Sequence, residues 1–135
     1  MSLKLTDAQV SVRVKLSALW AAVMFCYVYG DIFGLFRPGK LTDMIAGHTP
    51  IGPTTQPVLI LFAVVMAVPS AMVFLSLVLP PQLARWANIV LGVLYSAIIV
   101  MTMRGAWGFY VFLGCVEVAL TLAVVSYAWM WPRQA

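Results

Sequence analysis

Four apolar stretches, about Leu16–Phe36, Pro57–Leu79, Trp86–Met103 and Trp107–Trp131, take up most of the 135 residues. Each is close to the ~20 residues an α-helix needs to cross the hydrocarbon core of a bilayer. A chain of this size cannot hide that much apolar surface in a water-surrounded core. Hydrophobic residues make up 64% of it and charged residues only 9%, so lipid must be the solvent for most of its surface. The expected fold is an all-α integral membrane four-helix bundle, one domain over 1–135.

Polar punctuation sets the ends of the spans. Thr6 and Gln9 have capping-box spacing and Asp7 suits a helix N-terminus, which predicts an interfacial helix over about 7–15. Arg13 and Lys15 then mark headgroup level. Arg37, Pro38 and Gly39 close the first span. The connection from Arg37 to Gln56 is rich in proline and should be largely irregular, with one or two helical turns over Leu41–Ala46 ending at Gly47. Pro57 suits the start of the second span and Pro69 should kink it. Pro80 and Pro81 stop it, and Arg104 and Gly105 make the tight turn into the fourth span. Trp86, Trp129 and Trp131 fit an interfacial aromatic belt. The first fifteen residues lack the apolar core of a cleavable signal peptide.

An even number of spans places both termini on one side. Lys4, Arg13, Lys15, Arg85 and Arg133 then face Arg37, Lys40 and Arg104 across the membrane, a bias that favours cytoplasmic termini. A dual-topology dimer is the alternative. The net charge of +4 is spread over ends and loops. It suits membrane lipid headgroups and gives no nucleic-acid surface.

Helical spacing gathers the remaining polar residues into seams. Ser17, Trp20, Met24, Tyr27, Asp31 and Gly34 share a face of the first span. Asn88, Gly92, Tyr95 and Thr102 share one on the third, and Tyr110, Gly114, Glu117 and Thr121 one on the fourth. Such seams should turn away from lipid and meet. Glu117 is the most informative of these residues, because an ionisable group at membrane depth costs a few kcal/mol and usually faces a partner or a polar cavity. At ~1.5 Å per residue it lies roughly 15 Å below the end of its span, and Asp31 roughly 7 Å below the end of its own. The implied site is a vestibule of Asp31 and Arg104 with Glu117 at its floor. Tyr27, Tyr95 and Tyr110 supply hydroxyls around it, and Asn88 and Thr121 extend the polar lining. The structural alternative has Glu117 hydrogen-bonded to a neighbouring helix as glue, and Asp31 paired with Arg104 or Arg37 to lock the end of the bundle. Gly30 and Gly34, and the ridge of Ala63, Ala67 and Ala71, are packing surfaces first and oligomer seams second.

No phosphate-binding loop, dinucleotide fingerprint, zinc-protease motif or nucleophile elbow occurs in a fitting context. Cys26 and Cys115 lack metal-ligand spacing, and His48 is a lone loop histidine, so no metal site and no cofactor is expected. No paired histidines suggest a haem site.

The segment KLSALWAAVMFCYVYGDIFGLFRPG, residues 15–39, resembles a family of small four-span bacterial membrane proteins of unassigned function. The later segments VFLSLVLPPQLARWANIVLGVLY and GCVEVALTLAVVSYAWMWP are similar to that family's remaining spans, and the architecture also looks DoxX-like. The pattern around Tyr29, Asp31 and Phe33 is the most specific part. The resemblance implies a compact four-helix bundle in a bacterial inner membrane and no particular activity. Small multidrug transporters have four spans too, but their acid sits in the other half of the first span. The phenylalanine and asparagine pore motifs of fluoride channels are not evident. Three readings follow: binding or transport of a small solute or ion through the polar cavity, an accessory subunit docked to itself or to a larger membrane complex, or an enzyme whose acids donate protons to a lipophilic substrate.

Overall fold

The computed structural model describes residues 3–133, and its architecture is a bundle of four long helices with a small excursion between the first two. The long helices are α1 (Val12–Gly34), α3 (Gln56–Val78), α4 (Pro81–Thr102) and α5 (Gly108–Trp129); α2 (Lys40–Ile45) lies in the excursion. All four long helices are long and apolar enough to cross a membrane.

Local chemistry explains the starts. The Ser11 hydroxyl accepts from the Val14 amide at 3.3 Å and caps α1. The interfacial helix expected over 7–15 is therefore absent over 7–11, where the backbone is irregular. A five-residue extension would have to fix its backbone with little burial in return, since every residue from 7 to 11 is exposed. Thr55 caps α3, accepting from the Val58 amide, and Pro57 occupies its first turn as expected. α4 begins five residues before the expected Trp86, because Pro81 sits comfortably in a first turn, where its missing N–H costs nothing. Only Leu79 and Pro80 then separate α3 from α4.

The excursion holds α2 almost where its turns were expected and adds a two-residue hairpin, β1 (His48–Thr49) antiparallel to β2 (Gly52–Pro53). Gly47, at φ 85°, gives the reversal between α2 and β1.

α1 packs on both α3 and α5, and α5 on α4; α3 and α4 form the weakest of these pairs despite their short connection. The interior is where the polar residues are. Ser76, Asn88 and Thr121 are fully buried, whereas Phe74, Phe112 and Val90 are about 60–70% exposed. In water this inside-out distribution would be ruinous, and in lipid it is the expected one. The seams face inward: Trp20 on α1, Asn88, Gly92 and Tyr95 on α4, and Gly114, Glu117 and Thr121 on α5 are buried.

Close approach of α4 and α5 depends on glycine. A Cβ at Gly92 would lie 2.6 Å from Val125 Cγ2 and 3.2 Å from the Thr121 carbonyl oxygen. Gly114 likewise receives the Met103 side chain. Gly30 faces Leu113 of α5, so half of the Gly30–Gly34 pair is spent within the bundle.

The end holding both termini is clamped by cation–aromatic contacts. Arg85 donates to the last carbonyls of α5, Nε to Ala128 at 3.1 Å and Nη2 to Trp129 at 3.3 Å, while its guanidinium lies over the rings of Trp86 and Trp129. Arg13 lies over Trp131 and donates to the Ser76 carbonyl, and Lys15 lies over Tyr127. These are the groups expected at a lipid headgroup boundary.

Candidate functional site

Two polar regions occupy the bundle, and they do different work. The first lies toward the termini and is closed. Trp20 Nε1–H donates to Asn88 Oδ1 at 2.7 Å, the Ser76 hydroxyl approaches the same oxygen at 3.4 Å, and Asn88 Nδ2 donates to the Ala84 carbonyl at 2.8 Å. Ser17 donates to the Val73 carbonyl at 2.7 Å. Thr121 and Ser96 share a hydrogen bond at 2.6 Å, and Thr121 also donates to the Glu117 backbone carbonyl at 3.0 Å. Asn88 and Thr121, both expected to line the site, thus spend their hydrogen-bonding capacity on neighbouring helices and on their own.

The second region lies at the opposite end and is open. The C-terminal turn of α1, the start of α2, the α4–α5 turn and the first turn of α5 enclose a cavity of about 380 Å³. Asp31, Arg104 and Tyr110 line it as the sequence seams anticipate, and Arg37, Lys40, Thr102 and Trp107 join them. Three cationic side chains therefore share this space with one carboxylate. Arg37 is additionally held with its guanidinium 5.9 Å from the centre of the Trp107 ring.

Arg37 and Lys40 are the lining groups that sequence spacing does not single out. Their signal was present, since both follow the first span directly and sit at the same level as Arg104. What sequence lacks is the fold-back of the excursion, which brings α2 and Pro50 over the end of the bundle.

Glu117 does not line this cavity. It is nine residues beyond Gly108, so about 14 Å into the bundle at ~1.5 Å per residue, and 93% of it is removed from the surface, 7% remaining exposed. Tyr27, Cys26 and Asp31 lie within electrostatic range of its carboxyl. Tyr27 is in turn within range of Tyr95 and Tyr110, so of the three tyrosines of the expected site Tyr27 is the one set beside the acid. Their hydroxyls are not equivalent. Tyr95 donates to the Val65 carbonyl at 2.6 Å, whereas the buried Tyr27 hydroxyl has no hydrogen-bond partner. Among the described residues, the Glu117 carboxyl makes no hydrogen bond to another side chain, unlike every other buried polar residue of the interior. Asp31 has Lys40 within electrostatic range and lines the cavity wall.

The arrangement has two chemical capacities. The mouth presents guanidinium and ammonium donors to a ligand approaching from the interface, with one carboxylate as acceptor. The interior holds a buried acid and, within electrostatic range of it, a phenol whose hydroxyl has no hydrogen-bond partner. Among the described residues, no three His, Cys, Asp or Glu side chains converge as they would around a metal ion.

No curated protein matches this chain, and no solved structure does. The DoxX-like likeness gains no support from these comparisons. One family model matches over residues 3–135, nearly the whole chain. The protein belongs to that family, DUF6326, a family of unknown function.

Proposed function

We propose that this is a multi-pass protein of the bacterial inner membrane, with cytoplasmic termini, that binds or moves a small solute or ion through its polar interior. In this reading Asp31 is the entrance acid, Arg104 its electrostatic partner at the mouth, and Glu117 the proton- or cation-binding group beneath. The observation that carries it is the open cavity at Asp31 and Arg104, with a buried acid in electrostatic range of Asp31. Polar residues that serve packing alone are satisfied by one another, as Trp20, Asn88 and Ser76 are. An acid held at depth without such a partner fits a site better than a strut.

The test is flux and binding in proteoliposomes, with protons, a panel of monovalent ions and small anions, comparing wild type with Glu117→Gln. Flux or binding that disappears in a folded variant supports the reading. Absence of both in the wild type overturns it.

A second reading, an assembly subunit, draws on one feature. Ala63, Ala67 and Ala71 form a small-residue ridge on α3 and all three are exposed, so the ridge faces away from the bundle. That reading expects a homo-oligomer or a stoichiometric membrane partner, abolished by Ala67→Leu and unaffected by Glu117→Gln.

A further inference from the structure

The mouth cavity is unusual in its charge balance. Arg37, Lys40 and Arg104 contribute three positive charges and Asp31 one negative charge, a formal excess of two. In a bundle end built only for stability, these groups would pair off or spread into solvent. Here they converge on one concave space, within the range of volumes typical of small-ligand sites, about 300–1,000 Å³.

The kinds of cation narrow the ligand. Two guanidinium groups present planar forks of donors that match phosphate oxygens, and the ammonium adds a compact charge beside them. Arg37 is oriented by the Trp107 ring, which limits the freedom lost when a ligand is gripped. The first turn of α5 adds to the same side of the balance. Trp107 and Tyr110 line the cavity at that helix N-terminus, and the Trp107 side chain makes no capping bond there.

Asp31 argues against a bare anion. A carboxylate beside the cations would repel an inorganic anion, but it accepts readily from a hydroxyl or an ammonium group on the ligand. We infer that the cavity takes a phosphate ester that also carries a hydrogen-bond donor, with Arg37, Lys40 and Arg104 on the phosphate and Asp31 on the donor. This rests on the solute-binding reading above and names its substrate class. The chemistry is shared by a soluble phosphate ester and by a phospholipid headgroup. The cavity opens beside the exposed aromatic side chain of Trp107, at the level where headgroups lie.

The experiment uses the full chain in phosphatidylcholine nanodiscs. Glycerol 3-phosphate is titrated beside glycerol and inorganic phosphate, and retention of phosphatidylglycerol is compared with phosphatidylcholine by native mass spectrometry. The expected result is that glycerol 3-phosphate, phosphatidylglycerol or both bind at least tenfold more tightly than their controls. Glycerol 3-phosphate alone identifies a soluble ester, and phosphatidylglycerol alone a headgroup. Arg104→Gln should weaken the binding at least tenfold, and Asp31→Asn should erase the advantage over inorganic phosphate. Lys40→Gln, at the start of a short surface helix, should weaken binding severalfold without changing the melting temperature, and so serves if Arg104→Gln does not fold. Binding no tighter than the controls, or unchanged in both cation variants, overturns the inference. If Glu117-dependent flux of a cation or proton is then found, the class assignment alone has failed. If nothing binds or crosses, the broader reading has failed with it.

Discussion

Tyr95 on α4 donates its hydroxyl to the carbonyl of Val65 on α3 at 2.6 Å, and Val65 is the residue four positions before Pro69. Proline has no N–H, so the helical partner of that carbonyl is missing, and the tyrosine supplies a donor in its place. The proline and the tyrosine are therefore one device. It ties α3 to α4, two consecutive helices whose backbones are otherwise in little contact. Helix-breaking proline is tolerated in lipid when a neighbouring helix satisfies the freed group in this way.

Tyr95→Phe should cost about 1–2 kcal/mol, at the upper end of measured transmembrane hydrogen bonds, because it leaves a half-buried carbonyl unsatisfied. Pro69→Ala restores the backbone donor, so the same tyrosine change should cost at most about half as much in that background. Thermal unfolding of the two singles and the double in detergent measures the coupling. Equal costs in both backgrounds would refute the device.

Asn88 ties three helices through Trp20 and Ser76 and is fully buried. Asn88→Leu should destabilise the protein by about 1–3 kcal/mol, the cost of stranding the Trp20 N–H. Trp20→Phe in the same protein should then cost less than it does in the wild type, since its N–H has already lost its partner. Double-mutant unfolding decides this; simple additivity would show that the contact contributes nothing.

The long helices were legible in the sequence because lipid demands continuous apolar runs, and so were the three inward seams, because helical period alone sorts their faces. The roles within a seam were not. Asn88 and Glu117 look equivalent as polar residues on buried faces, yet Asn88 meets Trp20 and Glu117 meets no such partner. That difference lies in helix rotation and depth, which depend on packing between residues 68 positions apart. Arg37 and Lys40 escaped notice as site residues because a basic pair after a span has a sufficient explanation in topology. The helix expected from about residue 7 starts instead at Val12, because a capping signal acts only where the helix has something to pack on, and Ser11, closer to the bundle, supplies the working cap.

Gly92 should resist any side chain. Gly92→Ala places its methyl against a Thr121 backbone oxygen that cannot swing away, and the change should cost about 1–3 kcal/mol as overpacking does. Gly92→Val should fail to give a monodisperse protein. Gly34→Ala is the control, because nothing lies within 4 Å of that added carbon, and its melting temperature should stay within about a degree or two of wild type given shifts below ~0.5 kcal/mol for such sites. A Gly92→Ala protein as stable as Gly34→Ala would mean that α4 and α5 are not in close contact at this level.

Stability separates a site from a strut at Glu117. Were the carboxyl cementing two helices, removing its charge would strand the partner and cost several kcal/mol, as breaking any buried pair does. Among the described residues, the one buried side-chain polar atom without a partner is the Tyr27 hydroxyl, so no bond to it is there to break. Glu117→Gln keeps the volume and should therefore change stability by less than about 1 kcal/mol, well inside the range for substitutions that break no contact. Tyr27→Phe should be neutral or slightly stabilising, since it removes an unpaired buried polar group. Unfolding of both variants in detergent reads this directly. A loss of several kcal/mol in Glu117→Gln would make the acid structural glue, and the flux comparison could then no longer assign it a role in a solute path.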